Sequence, residues 1–187
     1  MNIIGISGSP TRDGNNEKMI EMALAVAEGR GFEVDRVFLS GRTVSPCTAC
    51  DGCKNKKECT IEDDMTEIYP LLERADGIIV ATPVYFGCMT AQLKALFDRT
   101  RVLRRQGFLL SGKVGGAIAI GASRNGGQEK TVQAIHDWMH IHGMIVVGDN
   151  GHFGGLVQVP AESDEVGMQT VRDTVGKICD VLGMIKQ

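Results

Sequence analysis

Nothing in this chain of 187 residues approaches the ~20 consecutive apolar residues that a membrane-spanning helix needs. Apolar runs such as Gly77 to Ala81 and Gly143 to Val147 fall far short of that length. An excess of positive charge is missing too, since 20 Lys and Arg face 23 Asp and Glu for a formal charge of -3. With no broad basic field to condense on phosphate backbones or anionic lipid, neither nucleic acid nor a membrane is expected as a partner. Met1-Asn2-Ile3-Ile4-Gly5-Ile6 lacks a basic region ahead of a long apolar stretch, so it reads as a core strand and not as a signal peptide. The expected location is therefore cytoplasmic. Thiol pools there are reducing, which disfavours a disulfide scaffold and points the six cysteines toward metal or redox chemistry. Three ligand fingerprints are absent as well. The G-x-G-x-x-G run and the P-loop Lys are missing, which argues against NAD pyrophosphate and ATP in the first loop. His136-Asp-Trp-Met-His140 lacks the Glu of a catalytic zinc helix.

What is present alternates. The short apolar runs Asn2 to Ser7, Glu33 to Leu39, Asp76 to Thr82, Val114 to Ile120 and Met144 to Val147 read as strands of a parallel sheet covered on both faces. Helical spacing lies between them. Met19, Ala23, Val26 and Ala27 share one helix face, as do Met89, Leu93, Leu96 and Phe97. Val171, Val175, Ile178, Leu182 and Ile185 repeat the pattern near the end, with Ser163 or Asp164 placed to cap it. Gln128 to His142 forms another helix, and Asp63 to Ala75 a weaker one because Pro70 removes a hydrogen bond or forces a kink. Strict alternation implies a single α/β domain over residues 1–187, a flavodoxin-like three-layer α/β/α sandwich with a five-stranded parallel sheet in the order 2-1-3-4-5. Ligands of such sheets bind outside the carboxyl ends of the strands, so the loops after Ser7, Leu39, Thr82 and Ile120 carry the functional expectations.

The first of these loops, Ser7-Gly-Ser9-Pro-Thr11-Arg-Asp-Gly-Asn15-Asn16, combines hydroxyls, glycines and amides with a helix N-terminus, as a terminal phosphate requires. After the third strand, Tyr85 and Phe86 within Thr82-Pro83-Val84-Tyr85-Phe86-Gly87 offer a wall for a planar ring. After the fourth, Ala122-Ser123-Arg-Asn125-Gly126-Gly127-Gln128 offers backbone amides and short polar groups for the ring edge. Together with Leu93-Lys94 and Asp98-Arg99, these loops resemble the NADPH-dependent FMN reductase superfamily over residues 1 to about 130. The resemblance implies FMN, its phosphate held by Ser7, Ser9, Thr11, Asn15 and Asn16. The isoalloxazine would be held by Pro83, Val84, Tyr85, Phe86 and Gly87 on one side and Ala122, Ser123, Asn125, Gly126, Gly127 and Gln128 on the other.

A cysteine-rich loop at about residues 40–62 carries Cys47, Cys50, Cys53 and Cys59 as C-x2-C-x2-C-x5-C. Three thiolates at successive spacings of three can turn around a compact inorganic core, and the fourth closes it, which favours one self-contained [4Fe-4S] cluster. Structural zinc is the main alternative, although its sites usually pair two separated knuckles, and disulfides are a weaker one. Within the superfamily, the run resembles the iron-sulfur flavoproteins. That resemblance implies a cluster on these four cysteines, a homodimer or homotetramer, and electron transfer between a ferredoxin-like donor, flavin and small acceptors. An NAD(P)H-dependent FMN or quinone reductase whose loop holds zinc or nothing, and a non-enzymatic redox sensor, are the rival readings. Flavin carries its own chemistry, so no catalytic side chain is assigned. Lys54, Lys56 and Lys57, between the last two cysteines, read either as a solvated turn or as a positive approach for an acidic donor. Cys88 and Cys179 read as packing residues, and Arg99, Arg101, Arg104 and Arg105 as a solvated face or subunit contact.

Overall fold

A computed structural model describes residues 1–56 and 58–185. The strands are β1 (Asn2–Ser7), β2 (Glu33–Phe38), β3 (Gly77–Pro83), β4 (Val114–Gly121), β5 (Ile145–Val146) and β6 (Gly155–Gln158). All pair in parallel, in the order β2-β1-β3-β4-β5, with β6 also on β4. The expected strand order holds, with one addition. β5 pairs with Val114 and Gly115 and β6 with Ile118 to Gly121, so two short strands share the fifth lane end to end.

The helices are α1 (Asn15–Gly29), α2 (Gly52–Asn55), α3 (Met65–Arg74), α4 (Ala91–Arg99), α5 (Arg101–Arg105), α6 (Gln128–Ile141) and α7 (Glu165–Ile185). Because side chains alternate along a strand, the sheet divides the apolar residues into two cores. Ile3, Ile79, Ala81 and Ile118 pack with α1 and α7, whereas Ile4, Ile6, Ile78 and Val80 pack with α3, α4 and α6. Gly5 lets α1 approach closely: a Cβ there would stand 2.6 Å from Ile20 Cγ2. β2 departs from the doubly covered pattern because it is the edge strand, with Glu33 and Arg36 exposed. Pro70 lies inside α3 without ending it. Its exposed position puts the carbonyl freed of its donor on the solvent side. Asp164 caps α7 as expected, accepting the Gly167 N–H at 3.0 Å. Cys179 is buried in α7, and burial pushes its thiol up to about 11, in keeping with a packing role.

Candidate functional site

Parallel pairing brings the carboxyl ends of β1, β2, β3 and β4 to one edge, and their loops define the site. In the first loop Ser7 and Ser9 are buried. Ser7 Oγ accepts the Ser9 N–H at 3.4 Å and Ser9 Oγ accepts the Thr11 N–H at 3.1 Å, so both hydroxyl protons remain to donate. Gly14 is the N-cap of α1 and supplies no side-chain cap. The first backbone bond returning to it comes from Lys18 N, at 3.1 Å, so the preceding N–H groups lack an intrahelical acceptor. Asn15 and Asn16 stand at that terminus, and Asn16 Oδ1 is buried with no partner. Free N–H groups and hydroxyl protons fit an anion without a cluster of formal cations, whereas the unpartnered Asn16 Oδ1 is an acceptor and does not add to that fit. Thr11 is exposed at the rim.

The third loop is a tight hairpin. Tyr85 N donates to Cys88 O at 2.9 Å and Cys88 N to Tyr85 O at 3.1 Å, with Phe86 (φ 49°) and Gly87 (φ 77°) both left-handed between them. A glycine satisfies that turn at no steric cost, whereas Phe86 is held there by the bonds on either side. The hairpin thrusts Phe86 fully into solvent, and Tyr85 is 47% exposed, so neither is an ordinary core aromatic. Cys88 is exposed too, contrary to the packing role expected of it, because the turn lifts it off the sheet. The fourth loop meets this hairpin: a Cβ on Gly127 would stand 3.3 Å from both Gly87 Cα and Val84 Cγ1. Pro83 and Val84 are half-buried at the base, and Ala122, Ser123, Asn125 and Gly126 are exposed. Gln128 turns inward, its Nε2 donating to Ser123 O at 2.7 Å and Val157 O at 3.4 Å. It braces the loop and does not present its amide to solvent.

The second loop carries the cysteines. Ala49 (φ 54°) and Asp51 (φ 57°) are left-handed on either side of Cys50, which curls the chain into a compact turn. Cys47, Cys50, Cys53 and Cys59 line one pocket with Thr60, Arg99 and Arg101. Cys50 Sγ lies 3.2 Å from Thr60 Oγ1, and this bond, followed by one from the Gly52 backbone, holds the thiol below its ordinary value. Arg105 Nη1 donates to Cys53 Sγ at 3.3 Å and to Asp51 Oδ1 at 3.0 Å. Among the described residues, no three His, Cys, Asp or Glu side chains converge on a single ion-sized point.

The neck of this loop is closed by Arg99. Its side chain is 1% exposed and pairs with Asp63, at 2.6 and 3.1 Å, while donating to Ser45 O and Ile61 O at 3.0 Å each. Burial raises the Asp63 carboxyl, but Arg99 and the N–H groups of Ser45 and Met65 overcome it and hold the group below the usual carboxylate range. Arg101 and Arg104 are exposed, as a solvated face requires, but Arg99 is buried and Arg105 half-buried. Arg99, Arg101 and Arg105 grip the cysteine loop, and Arg104 lies 4.9 Å over the Phe108 ring and bonds the Ile141 carbonyl.

Residues 1–154 match the family model described as NADPH-dependent FMN reductase. The chain belongs to that family. An iron-sulfur flavoprotein of Methanosarcina thermophila is 62% identical to this family member over 187 residues, covering 100% of this chain and 98% of that one. One from Methanocaldococcus jannaschii is 46% identical over 194 residues, covering 100% of both. Among solved structures, RosB with a bound intermediate superposes with a TM-score of 0.81 at 14% identity, over 100% of this chain and 80% of that one. The fold and the family together make the protein a flavodoxin-like redox enzyme of the FMN-dependent type. Among the described residues, no helix is long and apolar enough to cross a membrane.

Two positions of this FMN reductase relative carried readable signals that periodicity alone passes over. Thr90 caps α4, accepting the Leu93 N–H at 3.1 Å, and a Thr ahead of an apolar-periodic run is a common N-cap sign. Arg99 follows Leu96 at i+3 and so lies on the buried face of α4. His136 and His142, by contrast, belong to the core: burial first, then His140 for the one and Arg104 for the other, push each down to about 4. Asp137 opposes the shift of His136. Both rings stay neutral in the fold and take up protons at ~6.5 when unfolded. The unfolded chain then binds more protons, so stability should decline as pH falls from ~6.5 toward 4, by up to ~3 kcal/mol for each ring. The urea midpoint is accordingly expected to drop between about pH 7 and about pH 5. His136→Leu, which removes a ring whose Nε2 has no partner, should lose part of that drop; an undiminished drop would clear this ring of the effect.

Proposed function

We propose that this chain is an FMN and [4Fe-4S] flavoprotein that moves electrons from a ferredoxin-like donor or NAD(P)H to small acceptors, assembling as a homodimer or homotetramer in the cytoplasm. The observation that carries this reading is the single pocket lined by all four cysteines, on a chain whose neighbouring loop is built as an anion cradle. Ser7, Ser9, Thr11, Asn15 and Asn16 would hold the phosphate, and the segments Pro83 to Gly87 and Ala122 to Gln128 would hold the ring. Cys47, Cys50, Cys53 and Cys59 would hold the cluster. A cubane offers four separate iron corners, so its thiolates need not meet at one point as those of a zinc tetrahedron do. When bound, FMN supplies a centre for one or two electrons and the cluster a centre for one.

The chain's own part is positional and electrostatic. Arg105 donates an N–H to the Cys53 sulfur and so fixes that side chain at the wall of the cysteine pocket. The Phe86 hairpin stands as an apolar wall at the mouth of the ring site. Anaerobic purification followed by an absorption spectrum with iron, sulfide and flavin assays tests the cofactor assignment on which the reading rests. Stoichiometric zinc without labile sulfide would instead favour the reductase without a cluster.

Lys54 and Lys56 are exposed beside the pocket, while Lys57 lies outside the described residues. Each exposed charge is worth at most ~1 kcal/mol and is screened by salt. Changing all three to Gln is expected to slow reduction by an acidic ferredoxin at low ionic strength and to leave reduction by a small uncharged reductant unchanged. Wild-type rates across a salt series would move the docking surface toward Arg101, Arg104 and Arg105.

A further inference from the structure

We propose that Arg99 is a positioning residue that couples the flavin site to the cysteine loop through α4. The inference rests on reading the first loop as the FMN phosphate site. Both ends of α4 are fastened, and by different groups. At its start, Thr90 Oγ1 donates to Gly8 O at 2.6 Å, and Thr90 N donates to Thr82 Oγ1 at 3.3 Å. Gly8 lies between the two buried serines of the cradle and touches the helix directly, for a Cβ on it would stand 2.7 Å from Leu93 Cβ. At its end, the Arg99 guanidinium holds the chain entering the cysteine loop at Ser45 O and the chain leaving it at Ile61 O and Asp63. Thr82, Thr90 and Arg99 are all buried, so water does not loosen either attachment.

Between the two attachments runs a helix of nine residues, about 13 Å long and stiff on that scale. A ligand that orders the cradle at Ser7 to Ser9 reduces the motion of the α4 N-terminus. A rigid helix passes that restriction to Arg99 and hence to the loop neck. Ordering at one end then lowers the ordering cost at the other, and the coupling is reciprocal by thermodynamic linkage. A planar fork with four placed donors is required for this task, since a lysine offers one compact charge and cannot span two carbonyls and a carboxylate in fixed geometry. The other arginines of the stretch do not share it: Arg101 and Arg105 hold Asp51 in the exposed part of the loop, away from the neck.

Amide hydrogen exchange on the full-length protein, stripped of flavin and then given FMN, tests the coupling. In the wild type, FMN should slow exchange over residues 8–16 and also, by at least ~fivefold, over residues 43–63. Arg99→Lys should keep the protection of 8–16 and lose that of 43–63. Arg99→Met combined with Asp63→Leu removes both charges together, so no buried charge is stranded, and should show the same selective loss. Equal protection of 43–63 in wild type and both variants, or protection in none of them, overturns the role of Arg99. Absence of protection at 8–16 in the wild type overturns the flavin reading and the coupling with it. A wild type free of iron and labile sulfide refutes only the cluster reading, because the flavin-dependent protection still decides the role of Arg99.

Discussion

Cys50→Ala and Cys53→Ala are each expected to abolish bound iron and acid-labile sulfide while leaving FMN at its wild-type content. The four cysteines line one pocket, and a cubane that loses one corner ligand in a solvent-accessible loop is open to hydrolysis and oxidation. The cradle and ring loops come from β1, β3 and β4, and a linkage of ~fivefold through α4 is too small to empty a tightly bound flavin, so the flavin content should not follow the iron. Cys50 is exposed, and shortening it removes little packing; the bond to Thr60 is its principal side-chain contact. Cys53 is half-buried and bonds Arg105, which keeps Asp51 as a second partner, so this variant too should fold. A matching wild-type urea midpoint would separate ligand loss from misfolding. Iron retained in both variants would refute these ligands.

The double variant Ser9→Ala with Asn15→Ala is expected to weaken FMN binding by at least ~tenfold. Each replacement removes a donor to a dianionic phosphate, worth roughly 1.5–3 kcal/mol for a charge-assisted bond, and ~1.4 kcal/mol is already a factor of ten. Ser9 is buried and accepts the Thr11 N–H, so its loss frees a donor; Thr11 is exposed and water can replace the partner. Stability should therefore fall far less than affinity. The measurement is a flavin titration of the stripped protein, with fluorescence quenching as the readout. Unchanged affinity would place the phosphate elsewhere on the carboxyl edge.

Local features of the chain were legible before any coordinates. The Asn2–Ser7 strand and the C-x2-C-x2-C-x5-C run follow from apolar period and spacing, which are properties of neighbouring residues, and the strand order follows from the alternation of strands with helices. β6 escaped because it spans four residues and follows a glycine-rich stretch with no period long enough to register. Gln128 escaped in another way: its place in the loop was visible, but its turn inward to the Val157 carbonyl depends on β6 reaching that position.

Along the chain, the arginines after Leu96 look alike, and charge patterning gives them one shared surface role. Folding separates them. Arg99 meets Ser45 across 54 positions, and the contact exists because α4 packs its apolar face on the sheet and carries Arg99 inward with it. Helical phase can mark such a residue as buried; which carbonyls and carboxylate it then meets is settled by the return path of the cysteine loop. Residue type and short-range spacing therefore set the chemistry available at the carboxyl edge, and long-range packing set which of those groups stand together, because hydrogen bonds between distant segments form only after both segments have been brought to the same side of the sheet.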